Sequence, residues 1–315
     1  MVDSIWIVTS YFNPCRYVTK RHNFELFATQ LRSMGAQLLV VETARSDGEF
    51  ELGKDHNVVR VRGDSFIWQK ERLINLGTTN LPTSCTKVAW LDCDLLFEDH
   101  EWLKRTADAL ERFAVVQPFS SSIRLPRGLL EFRGQGQDGE QCVESFAAAF
   151  ARDRSLAFDA VYRLHGHTGF AWAARRDLLT ECGLYDACLT GSADHLMAHV
   201  FAGALNSQCI AAMIGSGHKY AEHFARWANR VHEICQGSLG HVPGRVLHLW
   251  HGAVADRRYY SRNQEFKKFD FDPDRHVRVG TNGLWEWADA SREMRAWAMN
   301  VFESRNEDGD RPLDD

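Results

Sequence analysis

The feature that most constrains this chain is a strongly apolar stretch that runs directly into two acidic residues. Residues 87–91 read KVAWL, and Asp92 and Asp94 follow two positions apart, before a second apolar run over residues 95–97. An apolar run of this kind is typical of a strand buried on both faces of a parallel sheet. Ligands of open α/β sheets bind at the carboxyl ends of such strands, so both acids are expected at a ligand-binding edge.

Two neighbouring carboxylates repel each other unless a positive group lies between them. Mg²⁺ and Mn²⁺ prefer oxygen ligands and commonly share them with phosphates. Asp92 and Asp94 are therefore candidate ligands of Mn²⁺ or Mg²⁺ bound together with a diphosphate. An exposed acidic turn that holds no metal is the alternative interpretation.

The run Trp90-Leu91-Asp92-Cys93-Asp94 resembles the D-x-D motif of metal-dependent glycosyltransferases of the A-type (GT-A) fold. Further motifs over residues 5–252 follow in the order that this family shows. The resemblance implies a GT-A-like α/β fold with a mixed, mostly parallel sheet flanked by helices. It also implies sugar transfer from a nucleotide-diphosphate sugar, with a UDP-sugar favoured, to an acceptor hydroxyl.

The first half of the chain predicts a βαβ unit. Residues 5–8 and 38–41 read as strands, and apolar residues at helical spacing over residues 24–34 predict the helix between them. A right-handed crossover makes these two strands parallel. The pattern G-x-G-x-x-G follows neither strand, so a Rossmann dinucleotide site is not indicated.

By resemblance to the family, Thr9 and Tyr11 after the first strand and Glu42 after the second would hold the base and ribose of the donor. Glu42 has an alternative role as the cap of the loop that follows it. Lys70 falls in a helix predicted over residues 66–76, ended by Gly77. It would reach the donor diphosphate, or else lie over apolar surface with its charge in solvent.

The glycine- and aromatic-rich run at residues 165–174 resembles the strand that forms the floor under the donor sugar, which gives Gly169 and Trp172 this role. Asp194, at a predicted helix start, then matches the catalytic base, and an in-line attack assisted by it would invert the anomeric configuration. The alternative for Asp194 is a helix N-cap. His195 and His199 share one helix face, but without the glutamate of H-E-x-x-H we expect packing or acceptor contact there.

Members of the family often add a C-terminal histidine to the metal ligands, and residues 245–252 supply two candidates, His248 and His251. Strand alternation puts these histidines on opposite faces, which favours His251 at the strand exit as the ligand. Arg258, in an arginine- and tyrosine-rich segment, is expected to bind the diphosphate or to lie in a solvated turn.

Three segments are expected: a GT-A-like domain over residues 1–255, a helical extension over 256–302 and a flexible acidic tail over 303–315. Residues 120–141, rich in arginine and glycine, are expected to form a mobile flap or a surface insertion. The eight cysteines show no C-x-x-C pair, and the N-terminus shows no signal peptide, so a soluble cytoplasmic protein is expected.

The net charge of −5 gives no reason to expect nonspecific nucleic-acid binding. A glycan, a protein side chain and a hydroxylated DNA base all stay open as acceptors. A sugar nucleotidyltransferase is a second enzymatic interpretation, although the first strand lacks the glycine-rich loop of that class. A noncatalytic module that binds nucleotide sugars or carbohydrate is the third.

Overall fold

The computed structural model describes residues 4–132, 134, 142–158 and 164–309. Strands and helices alternate along most of the chain. In chain order the elements are β1 (Ile5–Phe12), α1 (Val18–Ser33), β2 (Leu38–Ala44), β3 (Val58–Arg62), α2 (Lys70–Thr79), β4 (Lys87–Leu91), β5 (Leu95–Phe97), α3 (Trp102–Ala109), β6 (Val115–Gln117), β7 (Ser121–Arg124), β8 (Val143–Glu144), α4 (Phe146–Arg152), β9 (Ala171–Arg175), α5 (Arg176–Cys182), α6 (Ala193–Phe201), α7 (Gln208–Ile214), α8 (Lys219–Cys235), β10 (Leu239–His241), β11 (Arg245–His248), α9 (Tyr259–Lys267), α10 (Pro273–His276), β12 (Val277–Val279), β13 (Trp285–Trp287) and α11 (Arg292–Glu303).

The main sheet has seven strands in the order β10-β6-β9-β4-β1-β2-β3. Strand β1 runs parallel to β2 and β4, whereas β9 is antiparallel to β4 and β6. All five residues of β4 are buried. Val88 and Trp90 pack in one core cluster, and Ala89 and Leu91 pack in the cluster on the other face. The expected mixed, mostly parallel sheet flanked by helices is confirmed.

A second sheet of four strands, in the order β5-β11-β7-β8, lies beyond the acidic end of β4. In it β11 pairs antiparallel with β5, with His248 opposite Leu95. The backbone N–H of Leu249 donates to the carbonyl of Asp94 at 2.8 Å. This pairing places the end of β11 directly beside the acidic motif.

Helix α2 begins later than the sequence pattern indicates, at Lys70 and not at residue 66, and it continues through Gly77 to Thr79. Gly77 therefore lies inside the helix and does not end it. Its lack of a side chain allows close packing. A Cβ built there would lie 2.5 Å from Cγ1 of Val8 and 3.0 Å from Cγ2 of Val41. The glycine therefore lets α2 approach β1 and β2 closely.

We expect Gly77→Ala to destabilise the protein by about 1–3 kcal/mol, because overpacking outweighs the better helix propensity of alanine. Chemical denaturation of the two proteins measures this difference. Gly53→Ala is the matched control, since a Cβ built at Gly53 meets no atom within 4 Å. Equal stability of the Gly77 variant and the parent protein would contradict the close packing of α2.

The extension expected to be helical over residues 256–302 ends in α11 (Arg292–Glu303), but residues 285–287 within it form β13. The flexible tail expected from residue 303 does not describe residues 303–309. Arg305 and Glu307 are buried, and Asp308 accepts hydrogen bonds from the backbone N–H groups of Val18 and Thr19. A carboxylate at the start of α1 is stabilised by the helix dipole. Residues 310–315 lie outside the described residues.

The expected flap over residues 120–141 is in part regular structure, because Ser121–Arg124 form β7 between β11 and β8. Residues 133 and 135–141 lie outside the described residues. Within the part of the chain that the structure describes, no helix has both the length and the apolar character needed to cross a membrane.

Candidate functional site

A cavity of about 590 Å³ opens at the carboxyl end of β1 and β4. Loops from both sheets, the first turns of α2 and α6, and the C-terminal residues 305 and 307 form its walls. Its lining includes five lysine and arginine side chains, four acids and four histidines, namely Lys20, Lys70, Arg124, Arg257, Arg305, Asp92, Asp94, Asp194, Glu307, His167, His195, His248 and His251.

Asp94, His248 and His251 converge on one point of the cavity wall. Nε2 of His251 lies 3.0 Å from Oδ2 of Asp94, and Nε2 of His248 lies 3.8 Å from Oδ1 of Asp94. The two Nε2 atoms are 3.1 Å apart. Strand alternation favours only one histidine as ligand, but β11 ends at His248, so the backbone beyond it turns His251 toward the same point.

This group has the properties of a site for a divalent cation. One donor atom from each of Asp94, His248 and His251 lies within 4.8 Å of the others. Oδ1 of Asp94 is buried and has no hydrogen-bond partner among the described residues. A guanidinium nitrogen of Arg257 lies 2.8 Å from Nε2 of His251, so a positive group already contacts these donors. A carboxylate and two imidazoles suit Mn²⁺ better than Mg²⁺.

The electrostatics of this group favour the ligand forms of its side chains. Burial would raise the pKa of Asp94, but the contacts with His248 and His251 and the charge of Lys20 hold this pKa well below its usual range. Burial lowers the pKa of His248 well below the ordinary value for histidine. An ionised carboxylate beside a neutral imidazole is the pair that binds metal.

Asp92 has a different neighbour from the one expected. Nζ of Lys70, the first residue of α2, lies 2.6 Å from Oδ1 of Asp92 and 2.7 Å from Oδ2 of Asp194. Burial alone would lower the pKa of Lys70, but the two carboxylates outweigh it and raise this pKa well above the usual value. Lys70 is therefore a fixed positive charge that joins the acidic motif to the start of α6.

Phe170 links the histidines to the acidic motif. Its ring stacks on His167 at 3.9 Å and on His248 at 4.7 Å between ring centres. Its carbonyl accepts a hydrogen bond from the backbone N–H of Asp92 at 2.8 Å. The backbone of Phe170 has a φ of 80°, a strained conformation for a residue with a side chain. Such strain is often found at functional sites, and single-residue sequence patterns do not indicate it.

Three residues that were expected to contact the nucleotide-sugar donor lie away from the main cavity. Thr9 is buried and donates to the carbonyl of Leu91 at 2.7 Å. Glu42 is buried and accepts from the backbone N–H groups of Glu51 and Leu52, which matches its alternative role as a loop cap. Tyr11 donates to Glu51, and with Glu42 it lines a second cavity of about 40 Å³.

Gly169 and Trp172, the expected floor under the sugar, separate in the structure. Gly169 lines the cavity, and a Cβ built there would lie 3.8 Å from Oδ2 of Asp194. Trp172 is 1% exposed and packs in the core opposite Trp90, because strand alternation turns it away from the cavity. Arg258 pairs with Glu265 on the surface. Its neighbour Arg257, at the end of a short 3₁₀ turn, contacts the histidines instead.

The sequence did not indicate the roles of Lys20, Arg305 and Glu307. The carboxylate of Glu307 lies 3.6 Å from Nδ1 of His251 and also pairs with Arg305. The guanidinium of Arg305 lies 5.1 Å from the centre of the Trp68 ring. These residues are remote from the acidic motif in sequence, and the acidic, sparsely apolar end of the chain reads as a flexible tail.

No family model matches the sequence, and no curated protein matches it. Solved structures with partial similarity include the catalytic domain of Drosophila β1,4-galactosyltransferase 7 in complex with xylobiose, 11% identical, covering 93% of this chain and 98% of that chain with a TM-score of 0.37. A mannose-1-phosphate geranyltransferase from Thermus thermophilus is 13% identical, covering 77% of this chain and 75% of that chain, with a TM-score of 0.35. A 4-diphosphocytidyl-2C-methyl-D-erythritol synthase from Anaerococcus prevotii is 11% identical, covering 76% of this chain and 87% of that chain, with a TM-score of 0.32.

Proposed function

We propose that this chain is a metal-dependent glycosyltransferase that moves a sugar from a nucleotide-diphosphate donor, a UDP-sugar in the first place, to an acceptor hydroxyl. The observation that carries the proposal is the convergence of Asp94, His248 and His251 inside the cavity at the carboxyl edge of the sheet. The volume of about 590 Å³ falls within the range of about 300–1,000 Å³ that is typical of small-molecule sites.

Asp94, His248 and His251 would hold Mn²⁺, or less favourably Mg²⁺. When bound, the cation would offset the negative charge that develops on the leaving nucleoside diphosphate. Asp92, whose Oδ1 lies 2.6 Å from Nζ of Lys70, would mainly hold this lysine in place. Its role as a metal ligand would be secondary.

The cations of the cavity would bind the diphosphate of the donor. Arg124, Arg257 and Arg305 all line the cavity, and a planar guanidinium matches the geometry of phosphate oxygens. Arg257 lies nearest to the proposed metal ligands, so it would contact phosphate oxygens beside the cation. Arg258 lies on the surface, so Arg257 and not Arg258 would bind the donor.

Asp194 would accept the proton of the acceptor hydroxyl as this oxygen attacks the anomeric carbon. Its Oδ2 is held by Lys70, whereas its Oδ1 is buried and has no hydrogen-bond partner among the described residues, so this oxygen would be the one to accept the proton. Attack on the face opposite the leaving diphosphate gives a product of inverted configuration. Gly169, close to Asp194, would leave room for the sugar.

The first experiment is a thermal-shift screen with UDP-, GDP-, ADP- and CMP-sugars, each with Mn²⁺, with Mg²⁺ and with chelator. A ligand at 100 times its Kd stabilises the native state by about 2.7 kcal/mol, which raises Tm by several degrees. We expect a Mn²⁺-dependent rise with one donor. The active donor is then incubated with glycan, peptide and hydroxymethylated-DNA acceptors, and the anomeric configuration of the product is read by NMR.

Other outcomes separate the alternative functions. A shift with a nucleoside triphosphate, followed by pyrophosphate release with a sugar 1-phosphate, would assign a nucleotidyltransferase. Donor binding without transfer to any acceptor and without donor hydrolysis would assign a binding module. Absence of a shift with every nucleotide sugar would contradict the proposed donor site.

A further inference from the structure

A second group of candidate metal-binding side chains lies apart from Asp94, His248 and His251, although two of its members, His195 and Cys209, line the same cavity. It consists of His165, which precedes β9, His195 and His199 from α6, and Cys209 from α7. One donor atom from each residue lies within 4.8 Å of the other three. His165, His199 and Cys209 are buried. Three imidazoles and a thiol from three separate segments thus converge on one point at the wall of the cavity.

The spacing of the three rings matches a tetrahedral metal site. Their centres are 5.2 Å apart for His165 and His195, and 5.1 Å apart for the other two pairs. A histidine nitrogen binds zinc at about 2.05 Å, so tetrahedral ligands place the ring centres roughly 5.2 Å apart. The planes of the three pairs meet at 50°, 88° and 71°, so the rings are not stacked on one another.

The hydrogen bonds of two rings fix which nitrogen faces the group. Nδ1 of His199 lies 2.6 Å from the carbonyl of Ala157, and Nδ1 of His165 lies 3.0 Å from the carbonyl of Gly166. A carbonyl only accepts, so each Nδ1 carries the hydrogen and each Nε2 carries the lone pair. Nε2 of His199 is buried and has no hydrogen-bond partner among the described residues. Metal-bound histidines are oriented in this way, by a backbone carbonyl on the other nitrogen.

The chemical type of these ligand atoms favours zinc. A thiolate and imidazoles are softer ligands than carboxylates, and they favour Zn²⁺ over Mg²⁺ or Mn²⁺. Four protein ligands fill a tetrahedral zinc site, which is the pattern of a structural and not a catalytic centre. Phe146 covers the group from one side, 5.6 Å from His165 and 5.1 Å from His199 between ring centres.

We propose that His165, His195, His199 and Cys209 bind one structural Zn²⁺ ion, separate from the cation at Asp94. Binding converts the thiol of Cys209 to a thiolate and releases its proton to solvent. The ion would tie together the segment before β9 and helices α6 and α7. Because Asp194 directly precedes His195, zinc would also fix the helix start that presents Asp194 to the cavity. This inference is independent of the glycosyltransferase proposal.

The first test is the zinc content of the purified full-length chain, measured by mass spectrometry after dialysis against metal-free buffer. We expect about one zinc ion per chain, a nearly complete loss in Cys209→Ser and His199→Ala, and full retention in Asp94→Asn. Cys235→Ser is the matched control, since Cys235 is a buried cysteine in α8. If the parent protein carries zinc, equal zinc content in the Cys209 and Cys235 variants would overturn the proposal.

A second test does not depend on the folding of any variant. The metal-free parent protein, shown to be folded by circular dichroism, is titrated with Co²⁺ and then with Zn²⁺. We expect a thiolate-to-cobalt charge-transfer band and intense tetrahedral visible bands that saturate at about one equivalent and disappear as Zn²⁺ displaces Co²⁺. Such spectra support the site even if the protein is purified without zinc. A folded protein that gives no thiolate band contradicts it.

Discussion

Asp94→Asn is expected to abolish the Mn²⁺-dependent rise in Tm with the donor. The substitution keeps the size of the side chain but removes the negative charge that faces His248 and His251. Since ligand charge sets the affinity for a hard divalent cation, we expect Mn²⁺ affinity to fall on the order of 10²–10³-fold. Sugar transfer should fall at least in proportion. Calorimetric titration of Mn²⁺ in the presence of donor measures the first effect, and a product assay measures the second.

Asp108→Asn is the control for this variant, because Asp108 forms an exposed pair with Lys104 in α3. It should change neither Mn²⁺ affinity nor transfer. Circular dichroism establishes that the Asp94 variant is folded. A folded Asp94→Asn protein with the Mn²⁺ affinity of the parent would place the cation elsewhere in the cavity.

Asp194→Asn is expected to bind the donor as the parent does and to lose transfer. A general base contributes about 10²–10⁴-fold to the rate, so kcat should fall by this factor while the donor Kd stays the same. The amide cannot take the proton of the acceptor hydroxyl. Lys70 keeps its contact with Asp92, which preserves the cavity wall. Single-turnover transfer and donor titration separate the two effects.

Asp186→Asn is the matched control, because Asp186 accepts from Arg72 at 3.2 Å and from Asn75 at 3.1 Å, away from the cavity lining. Its loss should lower Tm and leave the chemical step intact. If Asp194→Asn retained transfer comparable with the Asp186 variant, Asp194 would not be the base, and the expected inversion would lose its basis.

The order of strands and helices around the acidic motif could be predicted from local patterns. Strand β4, residues 87–91, ends directly before Asp92 as predicted, and the parallel pairing of β1 with β2 agrees with the predicted βαβ unit. These features depend on periodicity and crossover handedness, which the sequence contains. The local pattern predicts too early a start for α2. It also predicts that the helix stops at Gly77, because the packing of a glycine against a sheet leaves no local signal in the sequence.

The partners of the site residues could not be predicted in the same way. Glu42 at the end of β2 had two interpretations, and only the position of the loop that contains Glu51 decided that its carboxylate binds backbone N–H groups. His195 and His199 alone gave too few ligands for zinc. His165 and Cys209 join them only because the segment before β9 and helix α7 pack beside α6.

The sequence by itself determined that a buried strand is followed by Asp92 and Asp94 at the edge of an α/β sheet, since hydrophobicity and strand length are local properties. Only the tertiary structure decided that these neighbouring acids have different partners. Asp92 contacts Lys70 of α2, whereas Asp94 contacts the histidines of the second sheet. The physical reason is the turn between β4 and β5, which contains both acids, together with the pairing of β11 with β5, which brings side chains that are far apart in sequence to one point.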